Sequence, residues 1–252
     1  MALPQAHRNM TKYQKPNLKF RPTTSANAPQ VPDYLHAHYW WAYVHPKAVR
    51  FFERQWLVNL ILWGNYNRLR DAALRALGAP VQGRNLQVAC AYGDITPMMV
   101  DRLAPDASLD IVDILPVQLG NLSAKLTPDP RVNLYCMNSG ALRFSDASFD
   151  RVLLFFLLHE QPADVREKTL NEAARVLKPG GTMVIVDYSK PASLHPFRLF
   201  WKPVLQVLEP FATDLFTKGI RYWLPKDCGL NIESSQDFFG GVYQVLTVKR
   251  AN

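Results

Sequence analysis

Cysteine is scarce. The chain has three, Cys90, Cys136 and Cys228, unevenly spaced and without a CxxC pair. That speaks against a disulfide framework and a cysteine zinc site, and suits a reducing compartment. Long apolar runs are also missing. The best, WLVNLILWG at Trp56–Gly64, is far too short to span a bilayer and contains Asn59. No secretory h-region is visible. The expectation is a soluble or membrane-peripheral protein. Acid is absent from residues 1–32, which carry Arg8, Lys12, Lys15, Lys19 and Arg21 among prolines and small polar residues. This composition predicts a disordered basic tail. It reads as a mitochondrial transit peptide, a plain tail or a contact for anionic lipid. Much of the net charge of +8 is local to it. Basic residues follow no nucleic-acid motif, so no nucleic-acid partner is expected.

What is present suits one globular domain with a sizeable core and an extra subdomain: 252 residues, 48% hydrophobic and 20% charged. Residues 33–80 form an aromatic-rich helical unit. Val49, Phe52, Trp56 and Leu60 fall at helical spacing, Gly64 interrupts, and Leu69, Ala73 and Leu77 resume before Gly78. From Asn85 the pattern changes. NLQVAC, LDIVD, VNLYCM, DRVLLFF and TMVIVD read as strands, with helices starting near Thr96, Pro116 and Pro162. The last helix is expected to end at the KPGG of Lys178–Gly181. Alternating strands and helices predict an α/β fold, a mostly parallel sheet covered on both faces. A helical insertion follows near 194–228. Two strands about Gly240–Gly241 then read as a hairpin that adds a C-terminal antiparallel strand. Residues 81–252 are the expected Rossmann-like domain.

Ligands in such sheets bind at the carboxyl ends of the strands. The first strand ends in ACAYGD. Asp113, with Ile114 beside it, ends the second, about 20 residues on, where an acid suits a ribose hydroxyl pair. Helix capping is the plainer role, and the register with the loop favours the ribose. After the third strand, Asn138 or Ser139 suits an adenine edge, or is a turn residue. His159 and Glu160 follow the fourth strand at the cleft mouth, as a functional pair or as structural residues. Asp187 and Tyr188 end the fifth, where an acid either ligates a metal or caps the next segment.

The order of loop, Asp113, SFDRVLLFFLLHE and ARVLKPGGTMVIVDYS resembles a class I S-adenosylmethionine (SAM) methyltransferase of the quinone-biosynthesis type. The opening loop departs from that pattern of an acid followed by a GxGxG-like turn. Gln87 stands at the acidic position, Ala89 and Ala91 stand at the first two glycines, Tyr92 follows, and Gly93 alone remains. Asn138 stands where an acid near the adenine is usual. A closer resemblance, from about Tyr34 to Lys249, rests on WAYVHPKAVRFFERQWLVNLILWGNYNRLRDAAL, LQVACAYGD, LDIVDILPVQLGNL, FFLLHEQPADVR and LEPFATDLF. These are similar to the rhodoquinone biosynthesis (RquA) protein family. That resemblance implies conversion of ubiquinone to rhodoquinone by exchange of a ring methoxy group for an amino group. It implies SAM as amino donor and a need for manganese(II).

An amine must be neutral to attack a quinone carbon, and a carboxylate beside it favours the inert ammonium. Gln87 lacks that charge, and is expected to hydrogen-bond the amine. Ala89, Ala91 and Tyr92 add bulk expected to shift the methionine end of SAM. Manganese prefers oxygen and imidazole ligands and would polarise the quinone carbonyl. By analogy with metal-dependent relatives, His159, Glu160, Asp187 and Asp94 are the candidate ligands. His159 or Tyr188 is the candidate base, with Asp94 a further catalytic candidate. The apolar quinone tail implies a membrane source. Tyr39, Trp40, Trp41, Tyr43 and the Phe197–Phe216 insertion are expected to line its path. Phe51, Trp56 and Trp63 are expected in the core. The expected place is the cytoplasmic face of a bacterial inner membrane, or the mitochondrial matrix side. Two alternatives stand: an ordinary SAM-dependent quinone methyltransferase, and a non-catalytic quinone-binding scaffold. Oligomeric state is not legible.

Overall fold

The computed structural model describes residues 19–21, 29–44, 46–193, 195 and 210–252. Its centre is an eight-stranded sheet. The strands are β1 (Lys19–Arg21), β2 (Arg84–Val88), β3 (Ser108–Asp113), β4 (Val132–Cys136), β5 (Phe149–Phe155), β6 (Leu177–Tyr188), β7 (Leu230–Phe238) and β8 (Tyr243–Arg250). Their order is β1-β4-β3-β2-β5-β6-β8-β7. From β1 to β6 the pairing is parallel, and β8 is antiparallel to both β6 and β7. This is the Rossmann-like arrangement expected. Its parallel strands are buried on both faces, so they read in the sequence as near-continuous apolar runs.

Three details differ from the expectation. Lys19–Arg21, inside the segment expected to be disordered, is an edge strand beside β4; the rest of residues 1–28 lies outside the described residues. The KPGG stretch does not follow the helix as a loop. It is the opening of β6, which takes over directly from the helix at Leu177. The aromatic-rich unit is not one helix with a break at Gly64. A π-helical segment, Leu35–Val44, is followed by α1 (Pro46–Phe52), α2 (Gln55–Ile61) and α3 (Tyr66–Leu77).

Helix α3 buries Tyr66, Leu69, Ala72, Ala73, Leu74 and Leu77. These join one core with Leu86, Ile111, Leu153, Ile185 and Leu246. The helical unit is therefore fastened to the sheet by a shared core. Helices α4 (Ile95–Val100), α5 (Pro116–Lys125) and α6 (Ala163–Val176) connect the parallel strands, and α7 (Ala212–Lys218) follows the segment 196–209. The topology reverses between β2 and β5, both of which pair in parallel with their neighbours. That switch point places a crevice outside the carboxyl ends of β2, β3 and β5.

Candidate functional site

A cleft opens at that switch point. Its walls include Ala89 and Cys90 after β2, Asp113 and Ile114 after β3, and Asn138 and Ser139 after β4. Phe156 and Glu160 after β5, with Tyr34 and Leu35 from the helical unit, complete it.

Asp113 holds the two banks together. One carboxylate oxygen accepts from the Cys90 N–H at 2.7 Å, and the other from the Leu115 N–H at 2.8 Å. Burial pushes its carboxyl up to about 6, against the lowering effect of those N–H donors. It thus orders the turn before α5 and also lines the cleft. Asn138 lines the cleft too, and its Oδ1 accepts from the Gly140 N–H at 2.9 Å. Its amide N–H₂ belongs to the same cleft-lining residue. The Ser139 hydroxyl meets Thr169 at 2.8 Å and accepts from Gln161 Nε2 at 3.1 Å.

The first loop turns at two left-handed positions, Ala89 and Gly93. Ala89 retains a left-handed φ of 72°, a conformation that disfavours any Cβ. Gly93, at φ 83°, is required, because a Cβ there would collide with the Tyr66 hydroxyl. That hydroxyl accepts from the Asp94 and Ile95 N–H groups at 2.8 and 3.1 Å. Lys125 donates to the Gly93 carbonyl at 2.7 Å and pairs with Glu53, which accepts from the Gly93 N–H at 3.2 Å. The helical unit and α5 therefore clamp the loop.

Four residues stand elsewhere than the sequence suggested. Gln87 is fully buried and points into the protein: Nε2 donates to the Ala89 carbonyl and Oε1 accepts from the Thr96 hydroxyl, both at 2.9 Å. It is spent on the loop and the start of α4, so it does not face the cleft. Neither Ala91 nor Tyr92 lines the cleft. Tyr92 stacks on Phe52, and its hydroxyl accepts from Gln118 Nε2 at 2.9 Å. Asp94 is held by Arg70 through two bonds of 3.0 and 2.8 Å, and that guanidinium holds its carboxyl below the usual range.

His159, Glu160 and Asp187 are brought together. Asp187 Oδ1 lies 2.9 Å from His159 Nδ1, and His159 Nε2 lies 3.7 Å from Glu160 Oε1. Asp187 also accepts N–H groups of Leu158 and Tyr188, both at 2.7 Å. The three form a line ending at Glu160 on the cleft wall. Tyr188 packs edge-on to His159 with centroids 5.0 Å apart. For manganese these residues do not form a fit. Asp187 is saturated by N–H donors, Asp94 is neutralised by Arg70, and no group of three His, Cys, Asp or Glu among the described residues is arranged to hold a metal ion.

Sequence reading missed Glu53, Tyr66 and Lys125, because a loop clamp leaves no motif. It also missed Arg166. This fully buried side chain on α6 donates to the carbonyls of Leu158, Gln161 and Phe211, each at 2.8 Å. Trp40, Trp41 and Tyr43 have side chains outside the described residues, as does most of Phe197–Phe216.

Residues 86–181 match the methyltransferase domain family Methyltransf_25. A demethylmenaquinone methyltransferase of Renibacterium salmoninarum is 32% identical over 179 residues, covering 67% of this chain and 72% of that protein. A ubiquinone/menaquinone biosynthesis C-methyltransferase, UbiE, of Geobacter sp. (strain M21) is 30% identical over 193 residues, covering 75% and 80%. The N-methyltransferase NodS of Bradyrhizobium japonicum, solved with S-adenosyl-L-homocysteine, has a TM-score of 0.51 at 15% identity, over 74% of this chain and 87% of that one.

Proposed function

Since the chain belongs to the SAM-dependent methyltransferase family that includes these quinone-biosynthesis enzymes, we propose that it acts on ubiquinone with SAM and moves the amino nitrogen, making rhodoquinone. The observation that carries this is the first loop. Its family pattern holds a carboxylate and open glycines where the methionine end of SAM lies. Here the carboxylate position is a neutral, inward-turned Gln87, and Ala89 sets a methyl group on the cleft wall. Without that carboxylate, the α-amine loses a partner that favours the ammonium form. The altered wall shifts which end of the donor meets the acceptor.

SAM, when bound, supplies the nitrogen. Asp113 receives the ribose hydroxyls, and the Asn138 amide and Ile114 border the adenine. The nitrogen would bond to the ring carbon as the methoxy group leaves, taking a proton as methanol. A base would then remove the proton from the carbon beside the nitrogen, the electron pair would pass into the quinone ring, and water would release the carbon skeleton as a 2-oxo acid and the ring as an aminohydroquinone. The Asp187–His159–Glu160 line ends on the cleft wall and suits proton removal. No step is assigned to manganese, which the assay includes and omits in parallel.

A second reading, C- or O-methylation of a quinone or its precursor, is favoured by the names of the relatives. Product mass separates the two. Methylation adds mass to the acceptor, whereas methoxy-to-amine exchange lowers it. A heavier product from ubiquinone or a demethylated quinone, with none lighter, would overturn the amination reading.

A further inference from the structure

Seven large apolar side chains are exposed among the described residues, and five of them lie between positions 51 and 63. They are Phe51 (45%), Trp56 (59%), Leu60 (64%), Ile61 (42%) and Trp63 (51%). The expectation that Phe51, Trp56 and Trp63 are core is therefore overturned. The cause is local. Helix α2 buries only Leu57, and Trp56 and Leu60, four apart, share the outer face. A cluster of this kind marks a contact surface.

Its rim is basic. Lys47, Arg50 and Arg54 are exposed around it, and the Arg54 guanidinium lies over the Phe51 ring at 5.4 Å. The one acid of the stretch, Glu53, turns inward to Lys125. Apolar anchors inside a ring of cations are complementary to an anionic headgroup layer. A second copy fits less well, because a two-fold contact would bring the three cations near their equivalents.

A file of packed rings joins the patch to the cleft wall. Trp63 stacks on Phe239 (6.4 Å, 14°), and Phe239 stacks on Tyr243 (6.3 Å, 19°). Tyr243 meets Phe156 edge-on at 5.8 Å, and Phe156 lines the cleft. Trp63, Phe239 and Phe156 hold φ values of 52°, 49° and 53°. Bulky residues rarely adopt that region, and such strain gathers at functional sites. The Tyr243 hydroxyl is buried and has no hydrogen-bond partner.

We propose that the face formed by Phe51, Trp56, Leu60, Ile61 and Trp63 docks on an anionic lipid bilayer. The packed file Trp63–Phe239–Tyr243–Phe156 then ties the docked face to the wall of the cleft that receives a lipid-dissolved ring. The second part rests on the reading that the acceptor is a membrane quinone.

The test is co-sedimentation of the full chain with phosphatidylcholine vesicles, with and without phosphatidylglycerol. Two variants are compared: Trp56→Ser/Leu60→Ser/Ile61→Ser and Arg50→Glu/Arg54→Glu. The wild type should enrich on anionic vesicles, and each variant should partition about tenfold or more weakly. Equal partitioning of all three, or a dimer that the triple variant dissociates in sedimentation velocity without vesicle binding, would overturn the proposal. Turnover separates it from the reaction. Both variants should aminate a short-tailed, water-soluble quinone at the wild-type rate and lose activity on long-tailed quinone in vesicles. Absence of nitrogen transfer to the soluble quinone in the wild type would overturn the reaction reading, while vesicle binding still decides the docking.

Discussion

Asp113 binds its proton more tightly folded than unfolded, since burial raises its carboxyl from 3.8 to about 6. The folded state therefore holds the extra proton between those values, and stability falls as pH rises across that window, by on the order of 3 kcal/mol. Urea unfolding from pH 4 to 7 should show this decline, and Asp113→Asn should flatten it. SAM binding should run the other way. Ionised Asp113 is the better acceptor for a ribose, so affinity measured by calorimetry should weaken as pH drops through about 6, with no such step in Asp113→Asn. The loop gives a second contrast. Ala89→Gly relieves a left-handed alanine and should gain about 1 kcal/mol, a rise of about 2–4 °C in Tm. Gly93→Ala drives a Cβ against Tyr66 and should lose about 2 kcal/mol or more, read in the same melts. Both residues belong to one motif, and only their φ values and neighbours tell them apart.

Between elements, Arg166 is the main tie. From α6 it reaches the turn that carries His159 and the approach to α7, through the Leu158, Gln161 and Phe211 carbonyls. Asp214, at 3.8 Å, is its nearest carboxylate. Arg166→Met keeps the apolar stem and leaves three carbonyls without their donor, so it should destabilise by about 3 kcal/mol, measured by denaturant unfolding. Arg166→Lys should restore part of that. The parallel strands were legible to within a few residues, because a sheet covered on both faces writes unbroken apolar runs such as DRVLLFF. Asp113 and the His159–Glu160 pair were legible because each follows such a run directly. Other features were not. Burial on both faces also hides which way a polar strand residue turns, and so Gln87 was expected in the cleft. The break between α1 and α2 at Glu53 and Arg54 has no proline or glycine, so helical spacing ran through it and assigned Trp56 to the core. Left-handed Phe156 and Phe239 leave no compositional trace.

On the scale of the molecule, the helical unit does two jobs: its inner residues Glu53 and Tyr66 set the SAM loop, and its outer face offers Trp56, Leu60 and Ile61. A catalyst drawing an apolar acceptor from a bilayer needs both sides of one element. No described helix is long and apolar enough to cross a membrane. The family sets the donor as SAM, and the remaining question is which atom of it moves. Incubation of the full chain with ubiquinone, manganese(II) and SAM carrying nitrogen-15 at the amine and carbon-13 at the methyl answers it by mass spectrometry of the quinone. Nitrogen-15 without carbon-13 in a lighter quinone is the predicted result. Carbon-13 without nitrogen-15 would contradict it and make this chain a methyltransferase in activity as well as in fold.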